Sequence, residues 1–350
     1  MEKRFLIARW LRSTTEPLPI YDEASVSTAR QRVRDTAAGL NLSQQLVESV
    51  ALIASELTHN QLSHAKQGYF TVRPVERKDR KGLEIIAADI GPGIERPTLA
   101  VQGRVDAADD RSLGAGLGTV CRMADEVEFD NRLLEGAYIA ARKFDGRAAA
   151  PRCDTAIMGR PYPGETISGD DGVFLHTESG FVAAVCDGLG HGPEAREASN
   201  RAIETLIRNQ ERDVEYIVRA INDALAGTRG SAMSIVRVDH LNRTLECVSA
   251  GDVHTHLYNR RDAHFFTPTA MVLGMGHMQR HKIRMEKVTL ESGSILVLFT
   301  DGLKSKTSLK GRLDVLRQPV IAIAQHLLEN DSRPDDDALV LVARFPGQSH

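Results

Sequence analysis

The chain has 350 residues, of which 42% are hydrophobic and 26% are charged, so it is long enough for two globular domains. Its formal net charge is -3, with acidic and basic residues interspersed, which argues against the basic surface of a nucleic-acid-binding protein. The four cysteines are scattered and form no Cys-x-x-Cys pair, which argues against a disulfide framework or a thiolate zinc site. The sequence has no apolar run long enough to predict a membrane span. We therefore expect a cytoplasmic protein with no nucleic-acid or membrane partner.

Two helices and two strands are predicted at the start of the chain. Each helix begins at a polar residue that can accept hydrogen bonds from free N–H groups, and carries apolar residues at three- and four-residue spacing. The strands are apolar runs on either side of a charged turn. The predicted elements are a helix from Asp22 or Ser25 to about Ala38, a helix from Ser43 to about Ala65, and strands over 68–75 and 82–89.

A glycine-rich stretch, Leu113 to Gly118, is predicted as a flexible loop that leads into a helix over 119–125. A last strand of this half is predicted over 138–144. The segment 145–152 then lacks any periodicity. We therefore expect a first domain over 1–145, a linker over 146–152 and a second domain over 153–350.

The second half is predicted to be rich in strands. Its β-branched and apolar runs are separated by turn residues, and helical periodicity appears between them. The predicted strands cover 181–187, 232–240, 244–250, 295–300 and 338–345, and the predicted helices cover 194–210, 213–226 and 313–328.

The first candidate site combines an acid–asparagine pair with an aspartate–glycine motif. Glu56 and Asn60 lie one helical turn apart, where the carboxylate could orient or deprotonate a hydroxyl near a γ-phosphate and the carboxamide could ligate Mg²⁺. Asp89 ends an apolar strand, where it could accept from the amine of adenine, and Gly91 and Gly93 let backbone approach the base.

A second glycine cluster adds to this pattern. Gly114, Gly116 and Gly118 precede a predicted helix, whose free N–H groups could cradle phosphates. Taken alone, the acid–asparagine pair is more often an exposed polar face, and a glycine-rich loop is more often only a turn. The order of all the motifs is more specific than any one of them, and it predicts an ATP pocket.

The second candidate site is a set of aspartates at strand ends, Asp170, Asp187, Asp301 and Asp336. Carboxylates that converge at one sheet edge repel each other unless cations lie among them, and oxygen ligands favour Mg²⁺ or Mn²⁺ over zinc. Two such ions can activate water for attack on a phosphate ester. A single Asp-Gly pair is more often a turn, but the ordered set predicts a metal-dependent phosphatase.

The first set of motifs resembles a known family. Ser55-Glu-Leu-Thr-His-Asn60, Asp89-Ile-Gly-Pro-Gly-Ile94 and Leu113-Gly-Ala-Gly-Leu-Gly118, followed by 122–129, are similar to the GHKL ATPase superfamily, and within it to the RsbT-like, anti-sigma-factor-type serine kinases. The resemblance covers about residues 15–144. It implies a GHKL (Bergerat) α/β sandwich that binds ATP and Mg²⁺.

The resemblance also implies residue roles. Asn60 would bind Mg²⁺, Glu56 would act as catalytic base or orienting group, and Asp89 would hold adenine. The segment 104–112 is acidic where the family has a small, Ser/Thr-rich lid, so ATP binding is better supported than kinase turnover. The glycines that would line the pocket are Gly91, Gly93, Gly114, Gly116 and Gly118.

The second set of motifs resembles the SpoIIE-type branch of the protein phosphatase 2C family, in its compact, RsbX-like form. The resemblance covers about residues 153–346 and is carried by Ser168-Gly-Asp170, Asp187-Gly-Leu-Gly-His-Gly192, Ser249-Ala-Gly251, Thr300-Asp-Gly-Leu303 and Asp335-Asp-Asp-Ala338. It implies an α-β-β-α sandwich that holds two Mn²⁺ or Mg²⁺ ions.

In that family pattern Asp187 would bridge both ions and act in catalysis, with Gly188 contributing its carbonyl group. Asp301 and Asp336 would hold one ion, and Asp170 would assist the other. The triple Asp335–Asp337 leaves Asp336 or Asp337 open as the last ligand, and the strand that follows favours Asp336.

Together the resemblances imply a stressosome-type partner-switching regulator. In this hypothesis a metal-dependent phosphoserine/phosphothreonine phosphatase is fused to an ATP-binding serine kinase. Its partners would be STAS-domain antagonist or stressosome proteins. A sigma factor or downstream regulator would be a further partner. The alternative is a non-catalytic ATP-sensing or sigma-factor-binding domain that gates the phosphatase. A scaffold with two inactive sites is the weakest hypothesis, since the ligating residues are all present.

Overall fold

A computed structural model describes residues 4–12, 16–65, 67–77, 80–102, 113–146, 154–177, 179–276 and 283–345. The chain forms two compact units, of which the first ends at Asp154 and the second begins at Thr155. Each unit combines helices with β-sheet, as the predicted fold class requires. Of the predicted linker 146–152, everything after Gly146 lies outside the described residues. In the described ranges, no helix has both the length and the apolar character to cross a bilayer.

The first unit is an antiparallel sheet with helices packed on it. In chain order the elements are α1 (Arg4–Trp10), β1 (Leu18–Ile20), α2 (Glu23–Ala38), α3 (Gln44–Asn60), a π-helical turn (Gln61–Ala65), β2 (Gly68–Arg77), β3 (Arg80–Asp89), α4 (Pro97–Gln102), α5 (Leu113–Met123), β4 (Glu126–Arg132) and β5 (Gly136–Phe144). The strand order is β1-β2-β3-β5-β4, and each neighbouring pair is antiparallel.

The two faces of this sheet have different partners. Ala87 and Ile139 share a cleft with Leu57 of α3, so they belong to the helix-covered face. Because side chains alternate along a strand, Ala88 and Tyr138 belong to the opposite face, where Trp10 of α1 stacks on Tyr138 with ring centroids 5.9 Å apart. Asp89 ends β3 on the helix-covered face.

Most of the predicted elements of this unit are confirmed, and two details are resolved. The cap of α2 is Asp22, whose carboxylate accepts from the N–H of Ser25 at 2.7 Å. Helix α3 begins after Ser43 as predicted but gives way to the π-helical turn at Gln61. Strand β4 was not predicted, because its alternating acidic residues look solvent-exposed in the sequence.

One prediction in this unit is wrong. The stretch Leu113 to Gly118 is not a loop before a helix, since α5 already begins at Leu113. Glycine weakens a helix by roughly 1 kcal/mol relative to alanine. A Cβ atom at Gly116 would lie 2.9 Å from Glu56 Oε2, so a larger residue there would require the Glu56 side chain to shift.

The second unit stacks two sheets between helices. Its elements are β6 (Asp154–Arg160), β7 (Asp170–His176), β8 (Gly180–Gly188), α6 (Pro193–Arg208), α7 (Val214–Ala224), β9 (Ser231–Asp239), β10 (Thr244–Ala250), β11 (His254–Tyr258), β12 (Ala263–Phe265), β13 (Met285–Thr289), β14 (Ile295–Phe299), α8 (Leu313–Leu316), α9 (Val320–Asp331) and β15 (Ala338–Arg344). The sheet orders are β6-β15-β14-β11-β12 and β13-β10-β9-β8-β7.

Apolar faces hold these layers together. Helices α6 and α7 bury one face on the second sheet, where Ile203, Leu206, Ile217 and Ile221 join a single apolar cluster. Helix α9 packs on β15 of the first sheet, and β15 and β14 contact β7 and β8 of the second. The result is the predicted α-β-β-α sandwich.

The predicted helix over 313–328 is wrong as one element. It divides into α8 and α9 at Pro319, which lacks an N–H group and stands as the N-cap of α9. The strands that were not predicted, β6, β7, β11, β12 and β13, are short or interrupted by polar residues, so their sequences carry a weak alternation signal.

Candidate functional sites

A cleft of about 460 Å³ opens on the helix-covered face of the first unit. Asn60 and Gln61 line it from the end of α3, Asp89 and Gly93 from the end of β3, and Leu117 from α5. Three of the residues predicted for the ATP site, Asn60, Asp89 and Gly93, therefore line one cavity, although they are far apart in sequence.

Asp89 is the buried acceptor of this cleft. One of its oxygens accepts from the N–H of Gly91 at 2.9 Å, and the N–H of Ala137 also donates to the carboxylate. Burial outweighs these bonds and raises the pKa of Asp89 to about 6. A carboxylate in such a place gains from a further donor, such as the exocyclic amine of a base.

Glu56 and Asn60 converge on α5. A Cβ atom at Gly116 would lie 2.9 Å from Glu56 Oε2 and 3.3 Å from both terminal atoms of Asn60, so the two side chains border the same point. The Nδ2 atom of Asn60 is buried and has no hydrogen-bond partner among the described residues. An amide N–H group left without a partner beside a cleft fits an acceptor such as a phosphate oxygen of a nucleotide, whereas only the carboxamide oxygen could ligate Mg²⁺.

Of the remaining predicted glycines, only Gly93 is among the described residues that line the cleft. Gly93 has φ +74°, and a Cβ atom there would lie 2.8 Å from the carbonyl oxygen of Arg132. Gly91 leaves no room for a Cβ atom beside Ala65, at 2.8 Å. Gly114 and Gly118 lie in α5 with Gly116, and the acidic segment 104–112 falls outside the described residues.

Asn131 anchors the Asp89–Ile94 loop, and sequence reasoning did not identify it. Its carboxamide is buried, accepts from the N–H of Ile94 at 2.8 Å and donates to the carbonyl of Ile94 at 2.8 Å. The N–H of Leu134 donates to the carbonyl of Pro92 at 2.8 Å. A polar residue in an unpredicted strand gave no sequence signal for this role.

The second site lies where two pairs of strands meet the same end of the sandwich. Asp170 begins β7 and pairs directly with Asp187 near the end of β8, so their side chains point to the same face. Asp301 follows β14 and Asp336 precedes β15, its antiparallel neighbour. The tertiary structure thus brings together all four aspartates that the sequence predicted.

Burial raises the pKa of each of these carboxyl groups, and repulsion within the cluster raises it further for Asp170, Asp187 and Asp301. For Asp187 the pKa rises to about 8, through burial first and then the charges of Asp301, Asp336 and Asp337. The pKa of Asp170 rises well above its usual value, through burial and then the charge of Asp187. Burial and Asp336 raise the pKa of Asp301. Such a cluster is favourable in its ionised form only beside cations.

Asp336 and Asp337 have different surroundings. Asp337 is buried, and its two oxygens accept from the N–H groups of Tyr162 at 2.6 Å and Gly169 at 3.0 Å. Asp336 is partly exposed, and its charge raises the pKa of both Asp187 and Asp301. Asp337 therefore holds the loop before Asp170, while Asp336 as the metal ligand stays a prediction.

Sequence reasoning missed two further residues at this site. The hydroxyl of Thr300 donates to Asp170 Oδ2 at 2.6 Å and accepts from the N–H of Leu339 at 3.0 Å. Asp252 is a fifth acidic residue, whose charge raises the pKa of Asp301. Asp252 directly follows the Ser249-Ala-Gly251 motif, and that position was the signal that could have identified it.

The turn after β8 is shaped by glycine and by His191. Gly188 pairs with Ser231 in the β8–β9 register, and a Cβ atom at Gly188 would clash with the carbonyl of Ala195, so α6 packs closely on the strand end. The ring of His191 stacks on Tyr162 with centroids 4.4 Å apart, and its Nδ1 lies 3.4 Å from Glu165 Oε1.

The donor chemistry of this second site fits hard divalent cations. Oxygen ligands dominate it, and their repulsion is relieved by positive charge. Within the described ranges, no three Asp, Glu, His or Cys side chains stand at distances that enclose an ion. The four aspartates therefore share one end of the sandwich without forming a closed coordination sphere.

Comparison with known families matches each unit separately. Residues 21–142 match the family described as histidine kinase-like ATPase domain, and residues 177–346 match the family described as stage II sporulation protein E (SpoIIE). The two matches cover the candidate nucleotide cleft and three of the four predicted aspartates, since Asp170 precedes the second match.

Two relatives from Bacillus subtilis (strain 168) are similar to the two units. The phosphoserine phosphatase RsbX is 32% identical over 141 residues, which cover 40% of this chain and 69% of the relative. The serine/threonine-protein kinase RsbT is 33% identical over 125 residues, which cover 36% of this chain and 92% of the relative.

Solved structures agree with the sandwich of the second unit. A chain solved in a study of the bacterial stressosome has a TM-score of 0.53 at 26% identity and covers 55% of this chain and 100% of its own length. The crystal structure of RsbX in complex with magnesium has a TM-score of 0.50 at 24% identity, with 55% of this chain and 95% of that chain covered; it supports the fold alone.

Proposed function

Because this chain belongs to the SpoIIE-type protein phosphatases through its second unit and to the RsbT-like, histidine kinase-like ATPases through its first, we propose that it is a bifunctional partner-switching regulator. The phosphatase unit would remove phosphate from serine or threonine of a STAS-domain antagonist or stressosome protein. The first unit would bind ATP with Mg²⁺ and phosphorylate a protein partner, and a sigma factor or downstream regulator would respond.

The observation that most supports the phosphatase activity is the convergence of Asp170, Asp187, Asp301 and Asp336 at one sheet edge. These residues would hold two Mn²⁺ or Mg²⁺ ions, with Asp187 between them and the carbonyl of Gly188 as a further ligand. Bound cations would supply an activated water and neutralise the phosphoryl oxygens. Thr300 and Asp337 would keep the ligands in place.

The test of this site uses Asp187→Asn, which removes charge with almost no change in volume. Mn²⁺-dependent hydrolysis of a chromogenic phosphoester should fall by at least about 100-fold while the melting temperature without metal is retained. The matched control is Asp213→Asn at the N-cap of α7, where asparagine caps as well as aspartate. Undiminished hydrolysis by the Asp187 variant would overturn the assignment.

The kinase activity of the first unit is tested through Glu56. In a kinase, Glu56→Ala should abolish phosphate transfer to a STAS-domain partner while ADP affinity stays within about twofold, because Glu56 would act on the hydroxyl and not on the base. A sensor domain that gates the phosphatase would show no transfer even before mutation. The acidic segment 104–112 motivates this second possibility.

The two activities should not act on one site at one time. A kinase and a phosphatase that shared one residue would only hydrolyse ATP, so we propose different partners or different conditions for the two. Incubation of the chain with candidate partners and ATP, with phosphate followed on each partner, tests this. Simultaneous addition and removal at the same residue would refute it.

A further inference from the structure

Gln61 is a buried polar residue in the wall of the nucleotide cleft, and neither family motif includes it. It begins the π-helical turn directly after Asn60 and is only 3% exposed. π-Helical turns inside or after α-helices are frequent at functional sites.

The orientation of the Gln61 carboxamide follows from its contacts. Nε2 lies 3.1 Å from the carbonyl oxygen of Tyr69 and 3.1 Å from that of Ala88, and donates to both. Carbonyl oxygens only accept, so both amide hydrogens are used and the other end of the group must be the oxygen.

The oxygen of this carboxamide has no donor. Oε1 of Gln61 is buried and accepts no hydrogen bond from the part of the chain that the structure describes. It lies 2.8 Å from where a Cβ atom of Gly68 would be, and Gly68 pairs with Asp89 across β2 and β3. A buried carbonyl oxygen without a donor is unfavourable, so an incoming N–H group would be favoured here.

We propose that Gln61 determines base specificity, as a second acceptor beside Asp89; this rests on the proposed nucleotide site. The exocyclic amine of adenine has two hydrogens, of which Asp89 takes one and Gln61 Oε1 the other. A base with a carbonyl at that position, such as hypoxanthine or guanine, presents an oxygen to two acceptors and is rejected. The pair therefore selects a purine with an amine at this edge.

The experiment measures Mg²⁺-ADP, N6-methyl-ADP and IDP binding by calorimetry, with no dependence on turnover. Wild-type protein should bind N6-methyl-ADP about fivefold more weakly than ADP, since one amine hydrogen is lost, and IDP more weakly still. Gln61→Met should weaken ADP about fivefold and bring the ratio of N6-methyl-ADP to ADP affinity close to one. Gln45→Met, the same change at an exposed position of α3, should leave all three affinities unchanged.

The outcomes separate this inference from the nucleotide site itself. If ADP binds but the wild type does not distinguish it from N6-methyl-ADP, the role of Gln61 is refuted, even where Gln61→Met fails to fold. An unchanged ratio in a folded Gln61→Met variant also refutes it, and would mean that a buried water satisfies Oε1. If the wild type binds no ADP, the proposed nucleotide site is refuted and this inference with it.

Discussion

Asp89 and Asp187 both lie beside glycine, yet their surroundings suit different ligands. Asp89 has backbone N–H groups as neighbours and few competing charges, so its raised pKa comes from burial alone. The pKa of Asp187 is raised by burial and by three other carboxyl groups. A neutral amine is enough to stabilise the first carboxylate, whereas the second needs cations.

The pKa of Asp89, raised to about 6, predicts that nucleotide binding depends on pH. The amine of adenine requires the ionised carboxylate, so ADP affinity should fall about tenfold between pH 7 and pH 5. The folding stability of the nucleotide-free protein depends on pH in the opposite direction. The raised pKa of Asp89 stabilises the fold below pH 3.8, the pKa of this group in the unfolded chain, and this stability is lost as pH rises through about 6.

Calorimetric titration of ADP at pH 5, 6, 7 and 8 checks this prediction. Asp89→Asn serves as the control, because it removes the titration of Asp89 and retains that of every other group, including His64 in the cleft wall and the nucleotide phosphates. A wild-type profile that coincides with that of the asparagine variant would show that Asp89 does not contact the base.

We predict that the hydroxyl of Thr300 affects metal binding and not only the stability of the fold. Thr300→Val keeps the shape of the side chain but removes the bonds to Asp170 and Leu339, so Mn²⁺ affinity should fall at least about tenfold. Thr300→Ser keeps the hydroxyl and should restore most of that affinity. Titration of phosphoester hydrolysis with Mn²⁺ measures this affinity as the Mn²⁺ concentration at half-activation, which is reported separately from the maximal rate. A valine variant that loses stability but keeps Mn²⁺ affinity would limit Thr300 to a structural role.

At the scale of elements, close approaches at glycine bring the ligand-bearing segments together. A Cβ atom at Gly302 would clash with the carbonyl oxygen of Asp337, and the N–H of Arg333 donates to the carbonyl of Gly302 at 2.7 Å. The turn that carries Asp301 therefore lies against the residues just before β15, next to Asp336. The relative positions of the two predicted ligands depend on that contact.

Gly302→Ala is expected to separate these two segments. We expect a loss of about 1 to 3 kcal/mol in the free energy of unfolding, together with weaker Mn²⁺ binding, because backbone cannot move aside as a flexible side chain can. Gly39→Ala, at a helix end with nothing within 4 Å and no positive φ, is the control and should be neutral or slightly stabilising. Chemical denaturation measures both. A neutral Gly302→Ala would contradict the close contact.

At the scale of the whole molecule, each of the two compact units carries its own site. A ligand that binds only the folded state raises the melting temperature of the unit that holds it. With Mg²⁺ held constant, ADP should therefore raise one thermal transition, and Mn²⁺ should raise the other.

Differential scanning calorimetry of the wild type and of Asp187→Asn tests this assignment. The variant should lose the Mn²⁺ shift and keep the ADP shift. If ADP raises the melting temperature of both transitions, the two units are coupled. That result would favour a nucleotide-sensing domain that gates the phosphatase over two independent activities.

The sequence alone was enough to predict much, but not all, of the secondary structure of this protein. Helix caps such as Asp22 and Ser43, the apolar strands, and the aspartates at strand ends depend on neighbouring residues, so their patterns are visible along the chain. The same patterns carried both family resemblances and hence the α/β architecture. The sequence did not show that Gly114, Gly116 and Gly118 lie within a helix.

Only the tertiary structure decided which distant groups are partners. Thr300 and Asp170 form a hydrogen bond although they are separated by 130 positions. Arg142 forms buried ion pairs with Glu84 at 2.6 Å and with Glu128 at 2.7 Å, on strands whose charges look exposed in sequence. Gln61, Asn131 and Asp337 gained their roles in the same way. Hydrogen bonds depend on positions in space and leave no periodic signal, so residues with no local pattern can be assigned only after the chain has folded.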